Sequence, residues 1–135
     1  LAAFTAIDGN LYVVAQDALA GGTAPGPNLD GPYHTPKLIA RFYVSGAIST
    51  PIMVDDTIVC AAYDAKVHLY SVKWQAAKKG DAGALKSPDG NWFTVKIVET
   101  SSFSGGGGYE STPVMWKGRV FIGSRDGSLY CLGDR

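Results

Sequence analysis

Short apolar runs separated by turn residues make up most of the chain, and the C-terminal part shows this pattern best. Residues 114–116, 120–124 and 129–132 are mainly apolar, and Lys117-Gly118 and Asp126-Gly127 lie between them. Runs rich in β-branched and aromatic residues and bounded by Gly or Asp are typical of strands joined by tight turns. We therefore predict a three-stranded antiparallel meander, with a turn at Asp126-Gly127 that is compatible with type I′.

The meander belongs to an internal repeat. The segment that begins at Ser111-Thr112-Pro113 matches, without a gap over about twenty residues, the segment that begins 62 positions earlier at Ser49-Thr50-Pro51. The two copies share turn residues in addition to apolar ones, since Asp126 aligns with Asp64. Self-similarity at a fixed spacing predicts stacked copies of one supersecondary unit.

A third, partial copy lies near the N-terminus. Residues 8–18 align with residues 117–127, which puts Asp17 at the same repeat position as Asp64 and Asp126, at spacings of 47 and 62 residues. Unequal spacing indicates insertions between the units. The predicted units are residues 1–48, 49–110 and 111–135.

The strands inside the units differ in patterning. Residues 11–15, 58–62 and 120–123 are apolar on both faces, as expected of a middle strand with sheets above and below it. Residues 37–44 and 92–98 alternate and suit a fourth, outer strand. These features predict an all-β chain: a partial β-propeller of four-stranded antiparallel blades, about two and a half blades in all, with a sandwich as the alternative.

One family has a repeat of this kind. Residues 111–114 and 119–132 resemble the repeat of the pyrroloquinoline-quinone (PQQ)-like β-propellers, the quinoprotein alcohol dehydrogenase-like family. Residues 49–70 are a looser copy of it and residues 6–18 the weakest. The resemblance implies an extracytoplasmic protein, either periplasmic, on the cell surface or secreted. The start at Leu1 and the end after a third strand favour a C-terminal fragment of a larger propeller.

The resemblance does not imply a cofactor for this chain. Enzymatic members of the family hold the quinone in the central channel, beside a calcium ion and a general-base Asp, and several carry adjacent cysteines. Here Cys60 and Cys131 are 71 positions apart, and no Cys-x-x-Cys-His sequence occurs. We assign no catalytic, cofactor-binding or metal-binding residue. The two cysteines are predicted to be small buried side chains, with a disulfide as the alternative.

Several polar residues have both a structural and a functional interpretation. Asp17, Asp64 and Asp126 are predicted to form turns, the alternative being a repeated ligand. His34 and His68 are predicted to be structural, since neither has a matched partner residue.

Other candidates also favour structure over binding. Gly105 to Gly108 precede a strand rather than a helix, which predicts a crossing between blades instead of a phosphate loop. Asp55-Asp56 and Asp81 lack the ligand spacing of an EF-hand, and residues 75–79 suit a helical turn in a surface insertion. The three tryptophans are predicted to pack between blades: Trp74, Trp92 and Trp116.

Charge and length narrow the function. Lys plus Arg and Asp plus Glu both number 12, so the chain lacks the basic surface of a nucleic-acid reader, and no apolar run could span a membrane. A propeller closes with about four to eight blades. At 135 residues the chain is an open arc whose partners are the missing blades or other protein chains.

We predict a non-enzymatic binding or assembly scaffold. The alternatives are a fragment of a PQQ-dependent dehydrogenase and a propeller assembled from several short chains.

Overall fold

The computed structural model describes residues 1–16 and 22–133, and this part of the chain is all-β, as predicted, with no helix. Every strand pair is antiparallel. The strands are, in chain order, β1 (Ala2–Thr5), β2 (Asn10–Val14), β3 (Thr23–Ala24), β4 (Tyr33–His34), β5 (Leu38–Tyr43), β6 (Ile52–Val54), β7 (Thr57–Ala61), β8 (Lys66–Ala76), β9 (Leu85–Lys86), β10 (Trp92–Ser104), β11 (Val114–Trp116), β12 (Arg119–Gly123) and β13 (Leu129–Leu132).

These strands form three main sheets and one small hairpin. The first sheet has the order β1-β2-β5, the middle sheet β6-β7-β8-β10-β9 and the third sheet β11-β12-β13, while β3 pairs with β4. The third sheet is the predicted meander. The outer strands predicted at residues 37–44 and 92–98 are β5 and β10, which pair with β2 and β8.

The three main sheets pack face to face through two separate apolar cores. The first sheet and the middle sheet share the buried side chains of Leu11, Val13, Val44, Ala47, Ile58, Cys60, Ala62, Tyr70 and Val72. The middle and third sheets share those of Val59, Ala61, Val67, Tyr109, Val120 and Ile122. Successive residues of β7 point to opposite faces and so enter different cores. This explains why residues 58–62 are apolar throughout.

The middle sheet is also the most extended. Its strands β8 and β10 form a long hairpin, with a register shift between Glu99 and Ser101. Such bulges bend a strand and increase its local twist. Gln75 and Ala76 pair with Thr94 and Phe93, so the predicted helical turn at residues 75–79 is wrong. The ladder to β10 satisfies the backbone groups that a helical turn would have used.

The chain crosses from one sheet to the next in the same way twice. The N–H of Tyr63 donates to the carbonyl of Gly46 at 3.0 Å, and the N–H of Arg125 donates to the carbonyl of Gly108 at 3.0 Å. Gly46 lies between the first and middle sheets, and Gly108 lies between the middle and third sheets. Each crossing is therefore tied to a turn of the sheet that it enters.

The Ser-Thr-Pro motif ends each crossing. The hydroxyl of Ser49 donates to the carbonyl of Ala61, and that of Ser111 donates to the carbonyl of Gly123 at 2.9 Å. The two copies thus make the same bond to the end of the second strand of their sheet. The hydroxyl of Thr5 in the first sheet donates to the carbonyl of Ser49 at 2.6 Å. At the first crossing the motif is therefore bonded to the sheets on both sides.

The predicted alignment of the first copy is wrong. In the first sheet the turn with the geometry of residues 62–66 and 124–128 is at residues 6–10, where the N–H of Ala6 donates to the carbonyl of Asn10 at 2.9 Å. Asp8 therefore corresponds to Asp64 and Asp126, and β1 corresponds to β7 and β12. Asp17 lies outside the described residues. Leu11 to Val14 follow this turn and so correspond to the start of β8, not to β7.

The turn at Asp126-Gly127 also differs from the prediction. Only Gly127 has a positive φ there, at 84°, and its N–H donates to the carbonyl of Ser124 at 3.1 Å. A type I′ turn needs positive φ at both central residues. That requirement is met at Lys117 and Gly118, with φ values of 47° and 73°. The two-residue loop is thus the one between β11 and β12.

Candidate functional site

An aspartate occupies the same place in one turn of each main sheet. The N–H groups of Asn10, Lys66 and Ser128 donate to Oδ1 of the aspartate two residues earlier, at 3.0, 3.0 and 2.8 Å. This local bond stabilises a tight turn without help from other elements. The three turn aspartates are Asp8, Asp64 and Asp126.

The second carboxylate oxygen faces a ring four residues further on. Tyr130 donates its O–H to Asp126 at 2.6 Å, and Tyr12 donates to Asp8. The bond from Tyr130, helped by the N–H of Ser128, lowers the pKa of Asp126 to about 2. The bond from Tyr12 lowers the pKa of Asp8 in the same direction. These carboxylates are engaged in their own turns, in accord with the turn-forming interpretation.

In the middle sheet a histidine replaces the tyrosine. The His68 ring is buried, with Nε2 3.0 Å from Oδ2 of Asp64 and Nδ1 2.8 Å from Oε1 of Glu99. Each ring nitrogen is thus within hydrogen-bond distance of a carboxylate oxygen. Tyr70 stacks beside the ring, with ring centroids 6.1 Å apart. His68 therefore links the turn of β8 to β10.

This cluster does not form a cation site. Because the two carboxylates bind opposite nitrogens of the His68 ring, their oxygens cannot converge on one ion. In the part of the chain that the structure describes, no three His, Cys, Asp or Glu side chains come together in a way that could hold a metal. His34, the other histidine, is exposed on β4.

The remaining acidic candidates are parts of turns. Asp55 has a positive φ of 50° between β6 and β7. Asp56 accepts a 2.7 Å bond from the indole N–H of Trp74, and Asp81 accepts the N–H of Lys78 at 2.8 Å.

The glycine run connects the middle and third sheets. The N–H of Gly106 donates to Oδ2 of Asp126 and to the hydroxyl of Tyr130, both at 3.1 Å. A side chain on Gly105 would collide with Tyr109, and one on Gly107 would lie 3.0 Å from the backbone nitrogen of Asp126. The run lacks side chains because it packs tightly against the turn of the third sheet.

The two cysteines differ from each other. Both are free, but Cys60 is buried in the middle sheet and Cys131 is exposed on β13. Burial raises the pKa of the Cys60 thiol to about 12. The predicted burial is thus confirmed for Cys60 and wrong for Cys131, whose side chain points to the uncovered face of the third sheet.

The tryptophans are more exposed than the sequence predicted. Trp74 is 46% exposed and Trp116 is 61% exposed, so blade packing does not describe either residue. The ammonium group of Lys117 lies 4.6 Å from the centroid of the Trp116 ring. Trp74 and Trp92 border one cavity.

The largest unexplained feature is the apolar surface at the two ends of the stack. In the first sheet, alternate positions face away from the middle sheet. The apolar side chains there are what we call the first outer face: Phe4, Tyr12, Val14 and Leu38. The corresponding third outer face has the apolar side chains of Val114, Trp116, Phe121, Leu129 and Cys131. One arginine accompanies each set, with Arg41 opposite Tyr12 and Arg119 opposite Trp116. Among the described residues, residues 11–15 and 120–123 are thus covered on one side, as expected at the two ends of an open arc, while the middle sheet is covered on both.

The two outer faces are ordered surfaces. On the first, the rings of Phe4 and Tyr12 stack with centroids 5.3 Å apart. On the third, Val114, Phe121 and Cys131 are cross-strand neighbours in one row. Contiguous apolar area of this kind marks surfaces that contact other protein. An open arc was predicted from the repeat, but the wrong alignment of the first copy hid which residues of the first sheet face outwards.

We compared the sequence with models of protein families and with curated proteins. Neither the protein-family models nor the curated proteins include a match to the chain. Among the described residues, no helix has the length and hydrophobicity needed to cross a membrane.

Proposed function

We propose that the chain is part of a β-propeller related to the PQQ-like repeat proteins and serves as a binding and assembly scaffold. The observation that carries the proposal is the pair of outer faces. They include positions whose equivalents in the middle sheet are buried, yet none of the other described sheets packs on them.

Equivalent residues show what these faces lack. Leu129 in the third sheet corresponds to Val67 in the middle sheet, and Phe4 in the first sheet corresponds to Cys60. Val67 and Cys60 are 0% exposed, whereas Leu129 is 75% and Phe4 is 44% exposed. A further sheet stacked on each outer face would bury these residues as the middle sheet buries its own.

The proposed partners are therefore other sheets of the same kind. Three main sheets are fewer than the roughly four to eight of a closed propeller. The rest come from further blades of the same protein or from other chains, in an extracytoplasmic compartment as the family resemblance implies. Two copies of the chain would supply six sheets, enough for a closed ring. This keeps assembly from short chains as the second candidate.

Sedimentation velocity over a range of protein concentrations tests the scaffold proposal. The chain should associate as its concentration rises, and Phe4→Lys together with Leu129→Lys should return it to a monomer, since charge on either face opposes stacking. Ile7→Lys is the matched control, because Ile7 is 90% exposed in a turn and belongs to neither outer face.

The form of the association separates the two candidates. A discrete two-chain particle favours assembly of a closed ring from short chains. Open-ended association favours a partial propeller whose remaining blades belong to the same protein or to other chains. A wild-type chain that stays monomeric at every concentration, with a sedimentation coefficient unchanged by the lysine substitutions, would overturn both.

A further inference from the structure

A cavity lies between the first sheet and the outer end of the middle sheet. Its volume is about 270 Å³, close to the lower limit of small-molecule sites. The first sheet and its loops contribute Leu1, Ala15 and Lys37, and the middle sheet contributes Trp74, Ala84, Leu85, Lys86, Trp92 and Phe93.

The aromatic side of the cavity is held in place. The indole N–H of Trp74 donates to Oδ1 of Asp56 at 2.7 Å, which fixes the orientation of the ring. Phe93 packs edge-on against Trp74, with centroids 5.1 Å apart and an interplanar angle of 66°. Trp74 nevertheless stays 46% exposed. A prearranged aromatic pair that is still open to solvent can receive a flat apolar group without reorganising.

The charged side chains among the described lining residues have one sign. They are Lys37 and Lys86, and the part of the lining that the structure describes contains no Asp or Glu. The Asp56 carboxylate bonds the Trp74 indole from outside this lining. The ammonium group of Lys37 donates to the carbonyl of Ala84 at 3.4 Å, across the gap between the two sheets. An ammonium group has three donors, so donors are left for a ligand. The chain as a whole is neutral, and this excess of cations is therefore local.

We propose that this cavity is a binding site for a small planar organic anion, an aromatic ring that carries a carboxylate. The ring would pack on Trp74 and Phe93, and the carboxylate would accept a charge-assisted hydrogen bond from Lys37. The site lies within the chain between two of its own sheets. It therefore does not depend on whether the outer faces are covered.

Two-dimensional ¹H–¹⁵N NMR of the whole chain tests the proposal through the indole N–H signals. The probe is quinoline-2-carboxylate, with quinoline-2-carboxamide as its neutral counterpart. The carboxylate should shift the Trp74 signal in a saturable way and leave the Trp116 signal in place. The amide should bind about three- to tenfold more weakly, because it loses the charge-assisted bond.

Matched lysine variants separate the site from general attraction to cations. Lys37→Gln should weaken binding of the carboxylate by about the same factor and leave the amide unaffected. Lys117→Gln is the control, since Lys117 also lies beside a tryptophan but borders Trp116 outside the cavity. The proposal is overturned if Trp74 does not respond, if acid and amide bind equally, or if Lys117→Gln has the same effect as Lys37→Gln.

Discussion

The middle and third sheets are built from matching sequences but have different surroundings. Val67 and Leu129 occupy the same place after the turn aspartate, and both are apolar. Val67 is 0% exposed because the third sheet lies on it, and Leu129 is 75% exposed because no described part of the chain covers it. The repeat therefore encodes two apolar faces for every sheet, and position in the stack decides which of them are covered.

Introducing a charge at these two positions should give the largest difference. Val67→Lys places an ammonium group in the core between the sheets and should destabilise the fold by about 4 kcal/mol or more. Leu129→Lys should change the free energy of unfolding by no more than about 0.5 kcal/mol, since its side chain reaches water. Urea unfolding followed by circular dichroism measures both values. Equal effects would contradict the assignment of faces.

The two serines of the Ser-Thr-Pro motif allow a finer comparison. Ser49 is buried and donates to the carbonyl of Ala61, whereas Ser111 makes its bond near solvent. We expect Ser49→Ala to cost about 1–2 kcal/mol and Ser111→Ala about 0.5 kcal/mol, because water can replace only the exposed donor. Thermal and urea unfolding give the values. A larger loss at Ser111 would show that the third sheet is buried by something else.

Loss of the hydroxyl should change stability in opposite directions at two neighbouring tyrosines in the core between the middle and third sheets. The hydroxyl of Tyr109 is buried and has no hydrogen-bond partner among the described residues, while that of Tyr130 donates to Asp126. Tyr109→Phe should leave stability unchanged or raise it by up to about 1 kcal/mol. Tyr130→Phe should lower stability by about 0.5–1 kcal/mol. A loss in Tyr109→Phe would mean that its hydroxyl has a partner in solution.

The smallest predicted effect is the dependence of the free energy of unfolding on acidic pH. The pKa of Asp126 is lowered from 3.8 to about 2 by the folded structure. Its contribution to stability is therefore complete above pH 4, and it disappears as the pH falls towards 2. Asp126→Asn should be less stable than the wild type near neutral pH, and the difference should shrink in acid. Stability curves against pH measure this, and Tyr130→Phe should reduce the same acid dependence.

Strands and turns could be predicted from the sequence better than the stack could. Apolar runs and turn residues identified the third sheet and the outer strands β5 and β10. The alignment of the first copy is wrong because it pairs Asp8-Gly9 with Lys117-Gly118. The five residues from Asp8 to Tyr12 are closer to those from Asp126 to Tyr130. A turn aspartate with a ring four residues later was the signal that the prediction missed.

The sites were harder to predict for a physical reason. The contact between His68 and Glu99 and the cavity beside Trp74 join residues from different strands or sheets. Local patterns show that a position is apolar or charged but not what lies across from it. The exposure of Cys131 has the same origin, since a position on an end sheet looks like one on a covered sheet.

The two native cysteines provide the most direct measurement. Labelling of the folded chain with a maleimide, followed by mass spectrometry, reports which face of each sheet is covered. Cys60 lies in the core between the first and middle sheets, and Cys131 lies on the third outer face. We predict one label, on Cys131, and slower labelling at concentrations where the chain associates. Labelling of both cysteines at similar rates, or protection of Cys131 in the monomer, would contradict the account.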